Sequence, residues 1–317
     1  MQDAIPFVGI DVSGQELSIA CTPAVAPRRI ANTRAAIKPW LQGLEPGSCV
    51  AMESTGRYHQ LVAGLALQAG MTVYLLNARD VHHYAKALGQ RGKTDALDAQ
   101  VIARYLAEHH ARLHPWVPGT SAQAAVVELL RRRAQTQRHM GAIAQSLQGM
   151  SRLRGLRQTL QRVLGDALQE IDRQIKAWIE SDERLRQGER RLRTIVGIGP
   201  QTAAYLSALF SRIEFANVDA VVAYSGLDPR PNDSGKHRGR RKLTKRGPAT
   251  LRKLLWLAAF SASHSKVFAA QYQGIVSKGL SSTAATVVLA RKLLRIAWAV
   301  WRDAKDFDAS KVAIQAA

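Results

Sequence analysis

Asp95 and Asp98 stand three residues apart in the stretch Gly92-Lys93-Thr94-Asp95-Ala96-Leu97-Asp98-Ala99. If a helix begins here, that spacing puts both carboxylates on one face. Thr94 is a suitable N-cap, and Leu97, Val101, Ile102 and Leu106 recur at helical spacing, which leaves the opposite side to the acids. Such a pair can grip a cation, or it can be a solvated first turn favoured by the helix dipole. Two further acids bear on the choice. Asp11 interrupts the apolar run Phe7 to Val12, which reads as a buried strand, and a charge there needs a partner. Glu53 follows the short core strand Ser48 to Met52 and precedes the turn-like Ser54-Thr55-Gly56, and strand ends are where α/β sheets present functional groups.

The elements that must position these acids can be read in order. A strand to about Val12, a Ser13-Gly14 turn and a strand Glu16 to Cys21 form a hairpin. A third strand is expected over Arg28 to Thr33, a helix over Ala35 to Leu44, a strand over Cys49 to Met52, a helix over Tyr58 to Ala69, a strand over Thr72 to Leu76 and a short helix over Asp80 to Leu88. A hairpin running into alternating β and α elements predicts a mixed sheet with helices on its faces, in which Asp11, Glu53, Asp95 and Asp98 can converge. Four converging carboxylates repel one another unless they hold metal. Hard divalent ions such as Mg²⁺ or Mn²⁺ take oxygen ligands, and two ions about 3.5–4 Å apart can activate one oxygen and stabilise another in phosphoryl transfer.

Charge supplies the substrate class. Lys and Arg number 45 against 24 Asp and Glu, a formal net charge of +21, which points to a polyanion and above all to nucleic acid. Membrane-surface binding would want a basic amphipathic anchor with exposed aromatic residues, whereas the charge here is spread over interior helices. At 317 residues the chain is large enough for two domains, and a hydrophobic content of 46% is ample for real cores. There is no apolar run of about 18 residues and no charged-then-apolar leader, so a cytoplasmic protein is expected. Cys21 and Cys49 have no metal-ligand spacing and read as buried free thiols.

The three stretches Gly9-Ile10-Asp11-Val12-Ser13, Glu53-Ser54-Thr55-Gly56-Arg57-Tyr58 and Lys93-Thr94-Asp95-Ala96-Leu97-Asp98-Ala99, in this order, resemble the motifs of the DEDD transposases of the IS one-ten (IS110) family of bacterial insertion sequences. The resemblance implies an N-terminal domain similar to the Holliday-junction resolvase RuvC, with an RNase H-like fold, and Asp11, Glu53, Asp95 and Asp98 as its metal-binding tetrad.

The segment His114-Pro115-Trp116-Val117-Pro118-Gly119 stops a helix and closes a first domain at residue 118. Thr120 or Ser121 then caps a helical region running to Arg193, with Leu153, Leu156, Leu160, Leu164, Leu168, Ile171, Ile175 and Trp178 at spacings of three and four, as in a helical hairpin or coiled coil. Glycines at 141, 149, 155 and 165 predict at least one break, and the interval Arg131 to Arg162 carries eight arginines and no acid, a surface suited to a phosphate backbone. In the resembling family this region, here residues 119–190, is a coiled coil joining two domains and helping to assemble an oligomer. Residues 191–317 are expected to form a mainly helical C-terminal domain. It begins with Leu192 to Ala203, a helix-hairpin-helix in which Gly197 and Gly199 let backbone amides approach a phosphate, or else a tight turn between packed helices.

Between Arg230 and Lys253 ten basic residues face Asp233 alone, with Lys236, Arg238, Arg240, Arg241, Lys242, Lys245 and Arg246 at their centre; together with Lys93 they are the expected nucleic-acid contacts. Ser234 sits among turn formers in this run. By itself a serine there bonds its own backbone, since a hydroxyl nucleophile needs activation and this loop offers only positive surroundings. Asp233-Ser234-Gly235-Lys236, then Gly239 and Leu243-Thr244-Lys245-Arg246-Gly247, look like the C-terminal domain of the same family, in which the serine before this glycine attacks DNA and becomes covalently joined to it. Asp233 stands where the family often has a second serine, and Thr244 where it commonly has serine. The tail helix, Thr283 to Trp301, matches less specifically and reads as scaffold.

The expectation from resemblance is therefore a transposase cutting and rejoining DNA with a metal-bearing tetrad and Ser234, as a homo-oligomer, guided by an element-encoded bridge RNA. Two readings compete with it: a junction endonuclease using water as nucleophile, and a DNA-packaging protein with a dead nuclease fold. His109, His110 and His114 end a helix beside a proline and make a poor metal set, and Trp256, Trp298 and Trp301 read as core residues.

Overall fold

The computed structural model describes residues 6–23, 25–54, 58–90, 92, 94–231, 233–234, 237–239 and 241–313. By its internal contacts the chain divides into two compact units, Met1–Pro118 and Gly119–Ala317.

The first unit is a five-stranded mixed sheet with helices on both faces. Its strands are β1 (Phe7–Val12), β2 (Glu16–Thr22), β3 (Val25–Ala31), β4 (Cys49–Glu53) and β5 (Thr72–Leu76), in the order β3-β2-β1-β4-β5. β1 pairs antiparallel with β2 and parallel with β4, and β4 pairs parallel with β5. The helices are α1 (Arg34–Gln42), α2 (His59–Gln68), α3 (Ala78–Ala87) and α4 (Asp95–His109). Strand alternation sorts the side chains. Val8, Ile10, Val50, Met52 and Val73 pack with Ile37 and Leu41 of α1 and Val62 and Ala66 of α2, while Ala51, Tyr74 and Leu76 pack on the other face with Val81 of α3 and Ile102 and Leu106 of α4.

Two of the boundaries that differ from expectation do so because a side chain caps a helix. Thr33 is not the end of β3; its hydroxyl accepts from the Ala36 amide and starts α1. Asn77 accepts from the Arg79 amide, so α3 begins at Ala78 rather than Asp80. Cys21 and Cys49 are free and half-buried, and burial raises both thiols' pKa.

In the second unit α5 (Ser121–Ser146) and α6 (Arg154–Glu180) pair as a helical hairpin, with the expected break between them around Gly149, whose φ is +82°. Thr120 closes a capping box with Gln123 at the start of α5. Arg133 of α5 holds Asp172 of α6 through two bonds of 2.7 and 2.9 Å. The base of the hairpin joins the unit's core through Val126, Leu130, Ile175 and Ile179, whereas Met150, Leu156 and Val163 nearer its tip are exposed. The core is completed by α7 (Glu183–Leu192), α8 (Pro200–Arg212), α9 (Val218–Ser225), α10 (Ala249–Ser263), α11 (Ala269–Val276), α12 (Ser282–Asp303) and α13 (Ser310–Ala313). Between α9 and α10 an arm of short strands projects: β6 (Pro229–Arg230) pairs with β9 (Lys242–Leu243), and β7 (Asp233–Ser234) with β8 (His237–Arg238).

Candidate active site

The register of β1 on β4 begins the site. Phe7 pairs with Cys49, Gly9 with Ala51 and Ile10 with Met52, so Asp11 and Glu53 are the next residues along two adjacent parallel strands, on the sheet face that α4 covers. α4 runs antiparallel to β1. The Phe7 and His110 rings lie 4.7 Å apart at one end, and a Cβ placed on Gly9 would stand 2.8 Å from the Cα of Ala103 and overlap the Ala99 carbonyl oxygen. Glycine here lets α4 lie directly on the strand. One turn before Ala99 the helix therefore delivers Asp95 over the end of β1, with Asp98 beside it.

Asp11, Glu53, Asp95 and Asp98 all line one cavity of about 860 Å³. Asp95 is exposed and the other three are half-buried. Thr94 accepts from the Leu97 amide at 3.3 Å, which fixes the start of α4. α3 contributes His82 and Lys86, one helical turn apart, to the same cavity, and the exposed Ser13 and Tyr58 also line it. Asn32 ties these two together, donating to the Ser13 carbonyl at 2.9 Å and the Tyr58 carbonyl at 3.2 Å. Sequence reasoning did not select His82 and Lys86. Their i, i+4 spacing on an amphipathic helix beside the motif was the available signal.

Four carboxylates are the hard oxygen donors that suit a divalent cation, so the donor set fits one chemically. Among the described residues no three His, Cys, Asp or Glu side chains stand close enough to hold one ion together, so closing on a metal requires these side chains to turn inward. His109 stacks on Tyr105 at 4.5 Å with its Nδ1 3.0 Å from the Tyr105 carbonyl, and His110 packs on Phe7, which makes both packing groups.

Ser234 is exposed and belongs to a β-hairpin, paired with His237, where a loop was expected. The base of its arm is clamped: a Cβ on Gly226 would stand 2.7 Å from the Gly247 nitrogen, and Gly226 has φ +69°. The Thr244 hydroxyl donates to the Asp228 carboxylate, and the Thr244 amide reaches the Asp228 carbonyl at 3.1 Å. Arg241, Lys242, Lys245 and Arg246 are exposed along this base. Lys93, Lys236 and Arg240, the Arg238 side chain and residues 55–57 lie outside the described residues. In the turn between α7 and α8, Gly197 has φ +92° and packs on α10, where an added Cβ would stand 2.6 Å from the Ala258 oxygen; Gly199 faces open space. Trp256 is only partly buried and stacks on the exposed Phe260 at 5.5 Å.

Residues 8–155 match the DEDD transposase model of the IS110 type, and residues 189–273 match the model described as transposase IS116/IS110/IS902 family. The chain is 29% identical over 262 residues to a pilin gene-inverting protein of Moraxella bovis, covering 81% of each chain. It is 28% identical over 309 residues to a probable family 20 transposase of Pseudomonas aeruginosa, covering 84% of this chain and 87% of the relative. It is also 26% identical over 336 residues to the transposase for insertion sequence element IS1328 of Yersinia enterocolitica, covering 93% and 96%.

Proposed function

The chain belongs to the IS110 family of DNA transposases and recombinases, enzymes that cut and rejoin DNA strands, and on that footing we propose that it does so with a composite site made of Asp11, Glu53, Asp95, Asp98 and Ser234. The observation that carries the proposal is the convergence of the four carboxylates on one cavity at the ends of β1, β4 and the start of α4. Family membership implies dependence on a divalent metal, and Asp11, Glu53, Asp95 and Asp98 would hold it. When bound, Mg²⁺ or Mn²⁺ would neutralise phosphate charge and polarise the phosphorus centre.

The chain's own residues have distinct tasks in this reading. Ser234, at an exposed hairpin, reaches a phosphate without displacing core structure. Its Oγ–P bond forms as the P–O3′ bond breaks; the serine proton leaves to solvent and the departing 3′ oxygen takes one up. The phosphodiester energy is kept in the phosphoserine bond, so a 3′-hydroxyl from a new partner strand can reverse the step without an external energy source. Arg241, Lys242, Lys245 and Arg246, with Lys93, Lys236, Arg238 and Arg240, bind the phosphate backbone, and Gly199 and Gly197 offer amides near the start of α8. Residues 1–118 serve as the carboxylate domain, 119–190 as the helical linker and 191–317 as the serine-bearing domain. Exchange of several strands requires several sites, which favours a homo-oligomer, and a bridge RNA encoded by the element would choose the DNA partners in association with the bacterial nucleoid.

The test is amplification of the excised circular junction from cells carrying the element, with wild type, Ser234→Ala and Asp11→Asn compared. Loss of the junction in both variants supports the composite mechanism. Circles made by Ser234→Ala would overturn serine chemistry and leave water or a DNA hydroxyl as the nucleophile.

A further inference from the structure

A second cavity, of about 710 Å³, opens in the second unit where the end of α8 meets the last turns of α12. Arg184, Arg212 and Arg302 stand on its wall with one lining carboxylate, Glu214; Arg302 also pairs with Asp303 at 2.7 Å, and the rest of the lining includes Trp298 and Trp301. The Arg302 guanidinium lies 4.7 Å from the Trp298 ring centre and that of Arg184 5.9 Å from Trp301. Cation–π packing alone accounts for those two contacts. The third arginine on the wall, Arg212, donates to the Tyr224 hydroxyl at 3.3 Å, and Ser211 beside it keeps its hydroxyl buried with no hydrogen-bond partner among the described residues.

Guanidiniums with fixed forks recognise phosphate, and indole faces recognise bases of any sequence. A cavity of this size has room for one or two nucleotides. We propose that the pocket binds an unpaired nucleotide of the nucleic acid on which the protein acts, its phosphate on Arg184, Arg212 and Arg302 and its base against Trp298 and Trp301. Strand exchange necessarily exposes such nucleotides, and a site for them would hold a displaced strand away from the reacting ends. The inference rests on the transposase reading only for the presence of DNA, since it concerns binding and not the cutting step.

The experiment uses the full chain without divalent metal. A single-stranded oligothymidylate carrying one 5-iodouracil is photocrosslinked and the adducts are mapped, and binding of single strand and of duplex is measured by fluorescence anisotropy for wild type and for the double variant Arg184→Ala/Arg302→Ala, both exposed side chains. Expected are adducts at Trp298 or Trp301 and a loss of about tenfold in single-strand affinity, against less than about threefold on duplex. Adducts mapping only elsewhere, or equal losses on both substrates, overturn the pocket. The readout is binding without divalent metal and not strand cutting, so a failure of the catalytic reading would leave this result standing.

Discussion

Gly9 of β1 lies directly beneath Ala103 of α4, so close that a Cβ on the glycine would stand 2.8 Å from the Ala103 Cα and overlap the Ala103 nitrogen and the Ala99 carbonyl oxygen. This contact sets the height of α4 above the sheet. It thereby decides whether Asp95 and Asp98 reach the cavity that Asp11 and Glu53 line. Gly9→Val should push the helix outward and cost about 1–3 kcal/mol through overpacking. Thermal unfolding should show the loss, and added Mg²⁺ should no longer raise the midpoint. A variant that unfolds at the wild-type temperature and still responds to Mg²⁺ would show that the helix does not depend on this contact.

Neutralising one member of the tetrad should act oppositely on the metal-free and metal-bound protein. Asp98 is half-buried on a cavity lined by three other carboxylates, and neutralising one of them relieves their mutual repulsion. Asp98→Asn is expected to unfold at a higher temperature than wild type in EDTA. In Mg²⁺ at about 100 times the dissociation constant wild type should gain about 2.7 kcal/mol, and the variant much less. Differential scanning fluorimetry with and without chelator measures both. A full Mg²⁺ response in Asp98→Asn would remove that residue from the metal set.

What was legible in the sequence follows from where the constraints were local. Thr94 as N-cap, the strand around Asp11 and the break near Gly149 depend on neighbouring residues, and each is where the sequence placed it. The convergence of four acids from separate elements could be suspected because a charge in a buried strand demands a partner. The role of Gly9 could not, since its reason is a helix nearly a hundred residues away. The start of α3 was misjudged because Asn77 competes as a cap, and the hairpin at Ser234 was read as loop because its flanking residues are turn formers and its strands are only two residues long. The cavity beside Trp298 and Trp301 was hidden for the same reason as Gly9: its walls come from α7, α8 and α12.

Ser234 and Gly247 should separate chemistry from positioning. Ser234 is exposed, so Ser234→Ala is expected to leave stability within about 0.5 kcal/mol while abolishing the circular junction. Gly247 sits at the foot of the arm, where a Cβ would overlap the Tyr224 carbonyl oxygen and stand 2.5 Å from the Ser225 carbonyl carbon. Gly247→Ala should both lower the melting temperature and reduce junction formation. Wild-type junction yield from Gly247→Ala would mean that the clamp does not position the serine.

Glu189 gives a pH-dependent signature. Burial on α7 raises its pKa, against the pull of Arg193, whose Nε is 3.6 Å from the carboxylate. A carboxylate whose folded pKa lies above its unfolded value binds its proton more tightly when folded. Its contribution is favourable at low pH and is lost as pH rises from the unfolded value through the folded one. Glu189→Gln is therefore expected to melt above wild type at pH 7, with the gap closing as pH falls toward 4. A gap that widens toward low pH would show that the Arg193 contact outweighs burial.

Lys245 places stability and binding in opposition. Its φ of +55° lies in the left-handed region, which costs a non-glycine residue about 1 kcal/mol, yet an exposed lysine stands there within the basic base of the arm. Its amide is fixed by the Gly226 carbonyl at 3.1 Å, so the backbone cannot relax without breaking the clamp. If the cation is retained for a phosphate contact, Lys245→Gly should unfold at a higher temperature and bind DNA less tightly. The dependence of affinity on salt should also become shallower, by about 0.9 in the slope of log K against log salt for one lost contact. Binding titrations at three or four salt concentrations supply that slope. An unchanged slope would show that Lys245 meets no phosphate.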